Sequence, residues 1–173
     1  MSNVELNKLL YSVRTNVYCV LDGASIEDLP QRLYDMAPPN FCLFRGKLGP
    51  DLATVAPYAI GIAKNAPFSD WLLSNDPGNH FGIFVLSRHS LTEIRKHFRD
   101  LFIVHNEEGE PMYFRFYDPR VIKTFLKTCE EKELKTFFGP VDTFIAEHED
   151  GTAFSSFTLE DNKLVEKVTK IEN

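Results

Sequence analysis

The residues best suited to chemistry are charged side chains that lie where predicted strands end and a predicted helix begins. Asp22 follows the apolar run 17–21. Arg115, Asp118 and Arg120 surround the predicted start of a helix. Arg115 lies among aromatic residues, and a buried arginine must be paired because an uncompensated interior charge is strongly destabilising. We therefore expect one of the two aspartates to pair with one of the two arginines and lock a strand end to a helix start. The alternative is that these charges face a groove and recognise a partner.

Other groups with catalytic or metal-binding potential lack the spacing that such chemistry requires. His89 and His97 are eight residues apart, which is not the i, i+4 spacing of a helical metal pair. The segment 46–49 lacks P-loop spacing, and Ser155 has no nucleophile elbow around it. The three cysteines are widely spaced and form no CxxC pair. We expect neither a metal site nor a cofactor.

Composition and charge favour a single soluble domain and exclude two kinds of partner. The chain has 173 residues, of which 43% are hydrophobic and 15 are Phe, enough for a sizeable core. Its formal net charge of −6 argues against nucleic-acid binding by phosphate neutralisation and against a polybasic membrane anchor. No apolar run is long enough to insert into a membrane, and residues 1–14 do not form a secretory signal peptide. We expect a cytoplasmic protein with reduced thiols.

The stretch 112–117 positions most of the charged residues. It alternates Met or Phe with Tyr or Arg, which is the two-residue period of a strand with two different faces. Asp118 and Pro119 predict a helix start, since Asp is a good N-cap and Pro suits the first helical position. Arg120 falls in the first helical turn, where a cation opposes the helix dipole and invites an anionic neighbour. A strand is therefore predicted to run directly into a helix that reaches about Cys129.

Hydrophobic periodicity predicts the remaining elements. The predicted strands are 17–21, 41–44, 80–86, 102–105, 141–147 and 152–159. The predicted helices with defined ranges are 4–13, 68–73 and 131–138. Two further helices open with capping boxes: one at Ser25 to Asp28, which reaches about Met36, and one at Ser90 to Glu93. A marginal helix is predicted after Glu160. The segment 52–62 favours extended structure, although Pro57 argues against a central strand.

Strands and helices alternate early in the chain, and hairpins dominate late. This order predicts an α/β fold, or alternatively α+β, with a mixed central sheet flanked by helices and a C-terminal hairpin. We expect residues 1–144 to form the main α/β domain. Residues 145–173 are expected to form a short hairpin and tail that pack on that same domain.

Four segments carry, in order, a resemblance to a known family. They are residues 18–24 (Tyr-Cys-Val-Leu-Asp-Gly-Ala), 80–85 together with 90–99, 114–121 (Phe-Arg-Phe-Tyr-Asp-Pro-Arg-Val), and 137–141 (Phe-Phe-Gly-Pro-Val). Together they resemble the type VI secretion effector adaptors, also called Tap or TEC chaperones, first catalogued as a domain of unknown function. Many members of that family continue into a helical second lobe, whereas only about thirty residues follow the Gly-Pro pair here.

The resemblance implies a non-enzymatic adaptor that binds a toxic effector in the cytoplasm and loads it onto the VgrG spike protein. It implies that the charged residues form either a partner-binding site or a structural clamp, and that Trp71 and Tyr113 are possible groove aromatics. This group consists of four charged residues, Asp22, Arg115, Asp118 and Arg120, and the uncharged Tyr117. Two alternatives remain open. One is an immunity protein that neutralises a toxin, and the other is a small enzyme that uses Asp22, Arg115 and Asp118 at strand ends.

Overall fold

The fold is a seven-stranded antiparallel sheet with helices on both faces and a small separate hairpin. The structure, a computed structural model, describes residues 4–171. Within those residues the strands are β1 Asn16–Asp22, β2 Asn40–Cys42, β3 Pro57–Ile62, β4 Gly82–Ser87, β5 Ile103–His105, β6 Pro111–Tyr113, β7 Thr143–Glu147, β8 Ala153–Glu160 and β9 Lys163–Lys170. The α-helices are α1 Val4–Tyr11, α2 Leu29–Met36, α3 Pro50–Val55, α4 Pro67–Asn75, α5 Leu91–Leu101, α6 Pro119–Thr128 and α7 Glu131–Phe138.

The sheet order β2-β3-β1-β4-β7-β8-β9 confirms the predicted mixture of helices and strands, with a central sheet, flanking helices and a C-terminal hairpin, and its antiparallel pairing corresponds to the α+β alternative. The strand directions differ from the prediction, because every described pairing is antiparallel and the sheet is not mixed. The helix α4 does connect two strands that run the same way, β3 and β4. However, β1 lies between them and pairs with both, so that Cys19 is opposite Ile60 on one side and Phe84 on the other. Sequence alternation could not reveal that insertion.

The core has two parts because the sheet is covered on both faces. Tyr18 and Val20 point to the side covered by α5, α6 and α7. Val17, Cys19 and Leu21 point to the side covered by α1, α2 and α4. A strand buried on both faces is a continuous apolar run, which is why 17–21 is so easily recognised.

The stretch 112–117 is a strand only at its beginning. β6 ends at Tyr113, which pairs with Ile103 in β5. After that residue the backbone turns, with the Asp118 N–H donating to the Arg115 carbonyl at 3.1 Å. Phe116 and Tyr117 are consequently both buried, although the alternating pattern placed them on opposite faces. The prediction of one continuous strand was therefore wrong.

The predicted capping box at Ser25 is also wrong. Helix α2 begins at Leu29 after Asp28, whose side chain makes no capping bond. Ser25 instead belongs to a short 3-10 turn, residues 23–25, and donates to Asp22. The reason is Pro30, which is tolerated in the first turn of a helix but would break one that started at residue 26.

The tail beyond Glu160 is a strand, not the predicted helix. β9 pairs with β8 from Glu160 opposite Lys163 to Ala153 opposite Lys170. Asp161 and Asn162 connect the two strands with positive φ values of 47° and 63°, the geometry of a two-residue hairpin turn. The predicted domain boundary at 144/145 falls within β7, and β8 and β9 continue the same sheet.

Several local predictions are confirmed. The capping box of Ser90 and Glu93 is complete, Asp118 caps α6, and α7 spans 131–138. Among residues 4–171, no helix has the length and apolar character needed to cross a bilayer.

The prediction for the segment 52–62 was partly wrong. Residues up to Val55 belong to helix α3, and only Pro57–Ile62 is extended. β3 is an interior strand, contrary to the argument from Pro57, because Pro57 is its first residue and needs no ladder N–H there.

Candidate functional site

The structure brings the five predicted residues of the charged group together at the junction between β1 and α6. The Arg115 guanidinium donates to Asp22 Oδ2 at 2.5 Å, which ties the end of β1 to the segment before α6. The Arg120 guanidinium donates to Asp118 Oδ2 at 2.8 Å and, through Nε, to Oδ1 at 3.0 Å. The pairing hypothesis is confirmed, and it holds for both aspartates. We call these five residues the junction cluster: Asp22, Arg115, Tyr117, Asp118 and Arg120.

The two ion pairs share one asymmetry. The side chains of Asp22 and Asp118 are only 7% and 10% exposed, whereas those of Arg115 and Arg120 are 53% and 59% exposed. Asp22 also accepts from the Ala24 backbone N–H at 3.0 Å, so its oxygens are already engaged. Buried carboxylates therefore hold two guanidinium groups in fixed positions at the surface. Such preorganised arginines lose little side-chain entropy when they bind a partner.

Tyr117 is the buried aromatic member of the junction cluster and packs beneath Arg115. Its ring centroid lies 5.8 Å from the Arg115 guanidinium carbon. Burial and then the charge of Asp22 raise the pKa of Tyr117, so the hydroxyl stays protonated. Tyr117 positions Arg115 and is too buried to present a contact surface itself.

Asp118 has two tasks at the start of α6. It caps the helix by accepting from the Arg120 N–H at 2.9 Å, and it pairs with the Arg120 side chain. Burial alone would raise the pKa of Asp118, but the hydrogen bonds from Arg120 outweigh it and hold that pKa below its ordinary value. The charged carboxylate also removes the penalty of a cation in a first helical turn.

The two aromatic residues predicted for a groove lie on opposite faces of the sheet. Tyr113 is 68% exposed, stacks on Phe102 with 4.8 Å between ring centroids, and lines a cleft of about 340 Å³. Trp71 is packed against Phe81 with 6.4 Å between ring centroids, and the Arg32 guanidinium covers it at 4.8 Å. The structure thus places Tyr113 in a groove and Trp71 in the margin of the other core cluster.

A buried acidic group was missed at the sequence level. Glu147, at the end of β7, accepts from the Gly78 N–H and lies 2.9 Å from the His80 imidazole. Asp76 is buried nearby, and one of its carboxyl oxygens has no hydrogen-bond partner among residues 4–171. Burial and then the Glu147 charge raise the pKa of Asp76 well above its ordinary value. The only signal was Asp76 itself, which lies in a dense turn motif and resembles an ordinary turn residue.

Asp76 and Glu147 are each only 1% exposed, so their carboxyl groups are not accessible from the surface. Neither Asp76 nor Glu147 lines any of four clefts on the surface of residues 4–171. The Glu147 carboxylate accepts from the backbone N–H groups of Gly78 and His80, which fastens the loop 76–80 to the end of β7. Loop anchoring therefore explains Glu147.

Ser155, His148 and Glu166 lie together but in the wrong order for nucleophilic catalysis. Ser155 Oγ lies 2.8 Å from His148 Nε2 and donates to Glu166 at 2.6 Å. The hydroxyl proton therefore points to the carboxylate, and the imidazole is not placed between serine and acid. Glu166 also pairs with Lys127 of α6 at 2.9 Å, so this network fastens β9 to the sheet and to α6.

The four segments that suggested a family meet in pairs. The ion pair of Asp22 and Arg115 joins the first segment to the third. His97 Nε2 donates to the Phe137 carbonyl at 2.8 Å, which joins the second to the fourth. Gly139 has a φ of +47° and lies so close to the His97 ring that a Cβ would be 2.5 Å from it. β1 of the first segment also pairs with β4 of the second, so the four segments form one connected part of the fold.

A family model described as Domain of unknown function (DUF4123) matches residues 17–136, more than half of the chain. The chain belongs to this family. The DUF4123 match begins at β1 and ends within α7, so it contains the whole junction cluster and leaves β7, β8 and β9 outside. No curated protein and no solved structure matches the chain.

Proposed function

We propose that the chain is a non-enzymatic adaptor that binds a type VI secretion effector in the cytoplasm and helps to load it onto a VgrG-like spike protein. Membership of the DUF4123 family and the four ordered segments support this proposal. The observation that carries it is the junction cluster, in which buried carboxylates hold two half-exposed arginines at the surface. Arginines held in this way suit protein recognition, where Arg is a frequent hot-spot residue.

An exposed apolar hairpin adds to the same argument. Val104 in β5 and Met112 and Tyr113 in β6 are exposed, although each is large and hydrophobic. An apolar surface next to fixed charges is typical of a protein-binding surface. The enzyme alternative is less favoured, because Asp22 is already engaged by three donors and Ser155 directs its proton to Glu166.

The test is affinity purification of the tagged chain from its native host, followed by mass spectrometry. We expect a VgrG-like protein and a candidate effector to be retained. The double variant Arg115→Gln/Arg120→Gln should retain less of the effector, while Lys163→Gln, which changes an exposed cation on the far edge strand, should behave like the parent chain.

Two results would count against the adaptor. Retention of neither protein would remove its support. Complete inhibition of the effector's toxic activity by an equimolar amount of the chain would favour an immunity protein instead. An adaptor should leave the effector active once it is released, so the toxicity assay separates these two functions.

A further inference from the structure

Four cations gather on one side of a chain that is acidic as a whole. A cleft of about 590 Å³ beside α5 is lined by Arg45, Arg95, Lys96 and Arg99, together with Thr92, Glu93 and Asp100. The formal net charge of the whole chain is −6. We call this cleft the basic cleft, and Arg45, Arg95, Lys96 and Arg99 are its four cations. Arg95, Lys96 and Arg99 lie on α5, and Arg45, which follows β2 in the chain, joins them.

Two of the four cations in the basic cleft, Arg95 and Arg99, are held by contacts that leave their charge unneutralised. Arg99 donates to the carbonyls of Cys42 at 2.7 Å and Phe44 at 3.2 Å. The Arg95 guanidinium lies 4.3 Å from the centre of the Phe41 ring. Neither arginine has a carboxylate partner among residues 4–171, whereas Arg45 pairs with Asp100 at 3.1 Å. The guanidinium groups of Arg95 and Arg99 are thus fixed in place while their charge remains available.

The electrostatic situation at Arg99 shows that the cations are close enough to repel one another. Burial and then the charge of Arg95 lower the pKa of Arg99, and Arg45 acts in the same direction. Arg99 Nε is also buried without a hydrogen-bond partner within the described part of the chain. Like charges held near each other are relieved by an anion placed between them.

The surface next to the basic cleft is apolar. A second cleft of about 340 Å³ shares Arg45 and Arg99 with the first and is lined elsewhere by Leu48, Leu52 and Tyr113. Leu52 and Tyr113 are largely exposed. Cations and apolar groups therefore form one continuous surface, which suits a ligand that has carboxylates and hydrophobic side chains side by side.

We propose that the basic cleft, with its apolar neighbour, is the docking site for an acidic segment of a protein partner that carries apolar side chains between its carboxylates. The conclusion that the ligand is a protein rests on the proposed function. The conclusion that the ligand is negatively charged follows from the cations of the cleft. Nucleic acid is disfavoured because the chain repels a polyanion at longer range. A free phosphate would leave the apolar cleft unfilled.

Fluorescence anisotropy with synthetic peptides tests the site directly. The probe is a short fluorescein-labelled peptide in which Glu-Glu pairs alternate with Leu, and its control replaces every Glu by Gln. We expect the Glu peptide to bind at least about tenfold more tightly than the Gln peptide, which corresponds to roughly two partly screened charge pairs. Raising the salt concentration should weaken the binding.

Matched charge reversals locate the binding. Lys96→Glu lies in the basic cleft, and Lys167→Glu makes the same change on β9, at the opposite edge of the sheet. Only Lys96→Glu should weaken binding of the Glu peptide, and both variants should keep the far-ultraviolet circular dichroism of the parent chain. Equal effects of the two reversals would overturn the proposal, as would equal binding of the two peptides.

Two further results separate this inference from the adaptor function. If inorganic phosphate displaces the peptide more strongly than sodium chloride at the same ionic strength, the cleft is a small-anion site and the proposal fails. If the native partners are retained equally by the parent chain and Lys96→Glu, the docking site is wrong and the adaptor stands. If the peptide binds through Lys96 but no partner is retained, the site stands and the adaptor fails.

Discussion

At the scale of single residues, the ion pair between Asp22 and Arg115 is the contact that joins two distant parts of the chain. The guanidinium is half exposed, so solvent reduces what the pair contributes to stability. The carboxylate is buried, so the loss of its cation leaves a charge with fewer partners. The two effects together give an interaction of moderate strength.

Arg115→Met should lower the free energy of unfolding by about 1–2 kcal/mol, because Asp22 then keeps only Ala24 and Ser25 as donors. Urea unfolding followed by the fluorescence of the single Trp71 measures this change. A double-mutant cycle with Asp22→Asn isolates the pairwise part.

The matched control for that cycle is Arg120→Met. Its partner Asp118 lies within the same helical turn, so this change should cost less than Arg115→Met. Unchanged stability of Arg115→Met, or additivity of Arg115→Met and Asp22→Asn, would show that the pair does not hold the junction together.

Asp76 makes the stability of the chain depend on pH in a definite direction. The folded-state pKa of Asp76 is raised, so the folded chain binds more protons than the unfolded chain between the two pKa values. The free energy of unfolding therefore falls as the pH rises through that window. A tenfold difference in proton affinity between the folded and unfolded chains corresponds to about 1.4 kcal/mol.

Asp76→Asn should remove much of the fall in the free energy of unfolding with rising pH. The variant should therefore become more stable relative to the parent chain as the pH rises from acid to neutral. Urea midpoints measured at a series of pH values test this prediction. Asp70→Asn, the same change at an exposed carboxylate in the preceding helix, is the matched control. Parallel pH profiles for the parent chain and Asp76→Asn would contradict the prediction.

At the scale of elements, the two Ser-led motifs show what local patterns can and cannot predict. Both Ser25 and Ser90 precede an acidic residue by three positions, yet only Ser90 caps a helix. The deciding residue is Pro30, which lies outside the motif itself. Similarly, the loose helical spacing after Glu160 was outweighed by the hairpin turn at Asp161 and Asn162.

The Ser90 cap should be visible in the titration of Glu93. Hydrogen bonds from the Ser90 side chain and then from His89 lower the pKa of Glu93 from 4.5 to about 2. A lowered carboxyl pKa stabilises the fold above the unfolded-state value, and the effect is lost as the pH falls toward about 2. Ser90→Ala should move that pKa back toward 4.5.

Nuclear magnetic resonance of the Glu93 carboxyl carbon follows the titration directly. Thr92→Ala, an exposed change within the same first turn of α5, is the matched control and should leave the pKa low. A low pKa in Ser90→Ala would mean that the cap does not determine the ionisation of Glu93.

At the scale of the whole molecule, the sequence predicted the fold class and the charge pairs but not how the strands and helices pack together. The apolar runs 17–21 and 80–86 and the helices after Ser90 and Asp118 were recognisable because each follows a local rule. The position of β1 between β3 and β4, and the approach of Arg45 to Arg99, depend on long-range packing. A single sequence contains no direct signal for such contacts.

The place of β7 in the sheet also has a consequence for synthesis on the ribosome. β4 is made early, but the strand that covers its second edge begins at Thr143, roughly sixty residues later. At about 5–20 residues per second, the apolar edge of β4 stays unpaired for several seconds in each nascent chain. During that interval the growing polypeptide is most open to wrong strand pairing, and a holdase that protects this edge would raise its yield.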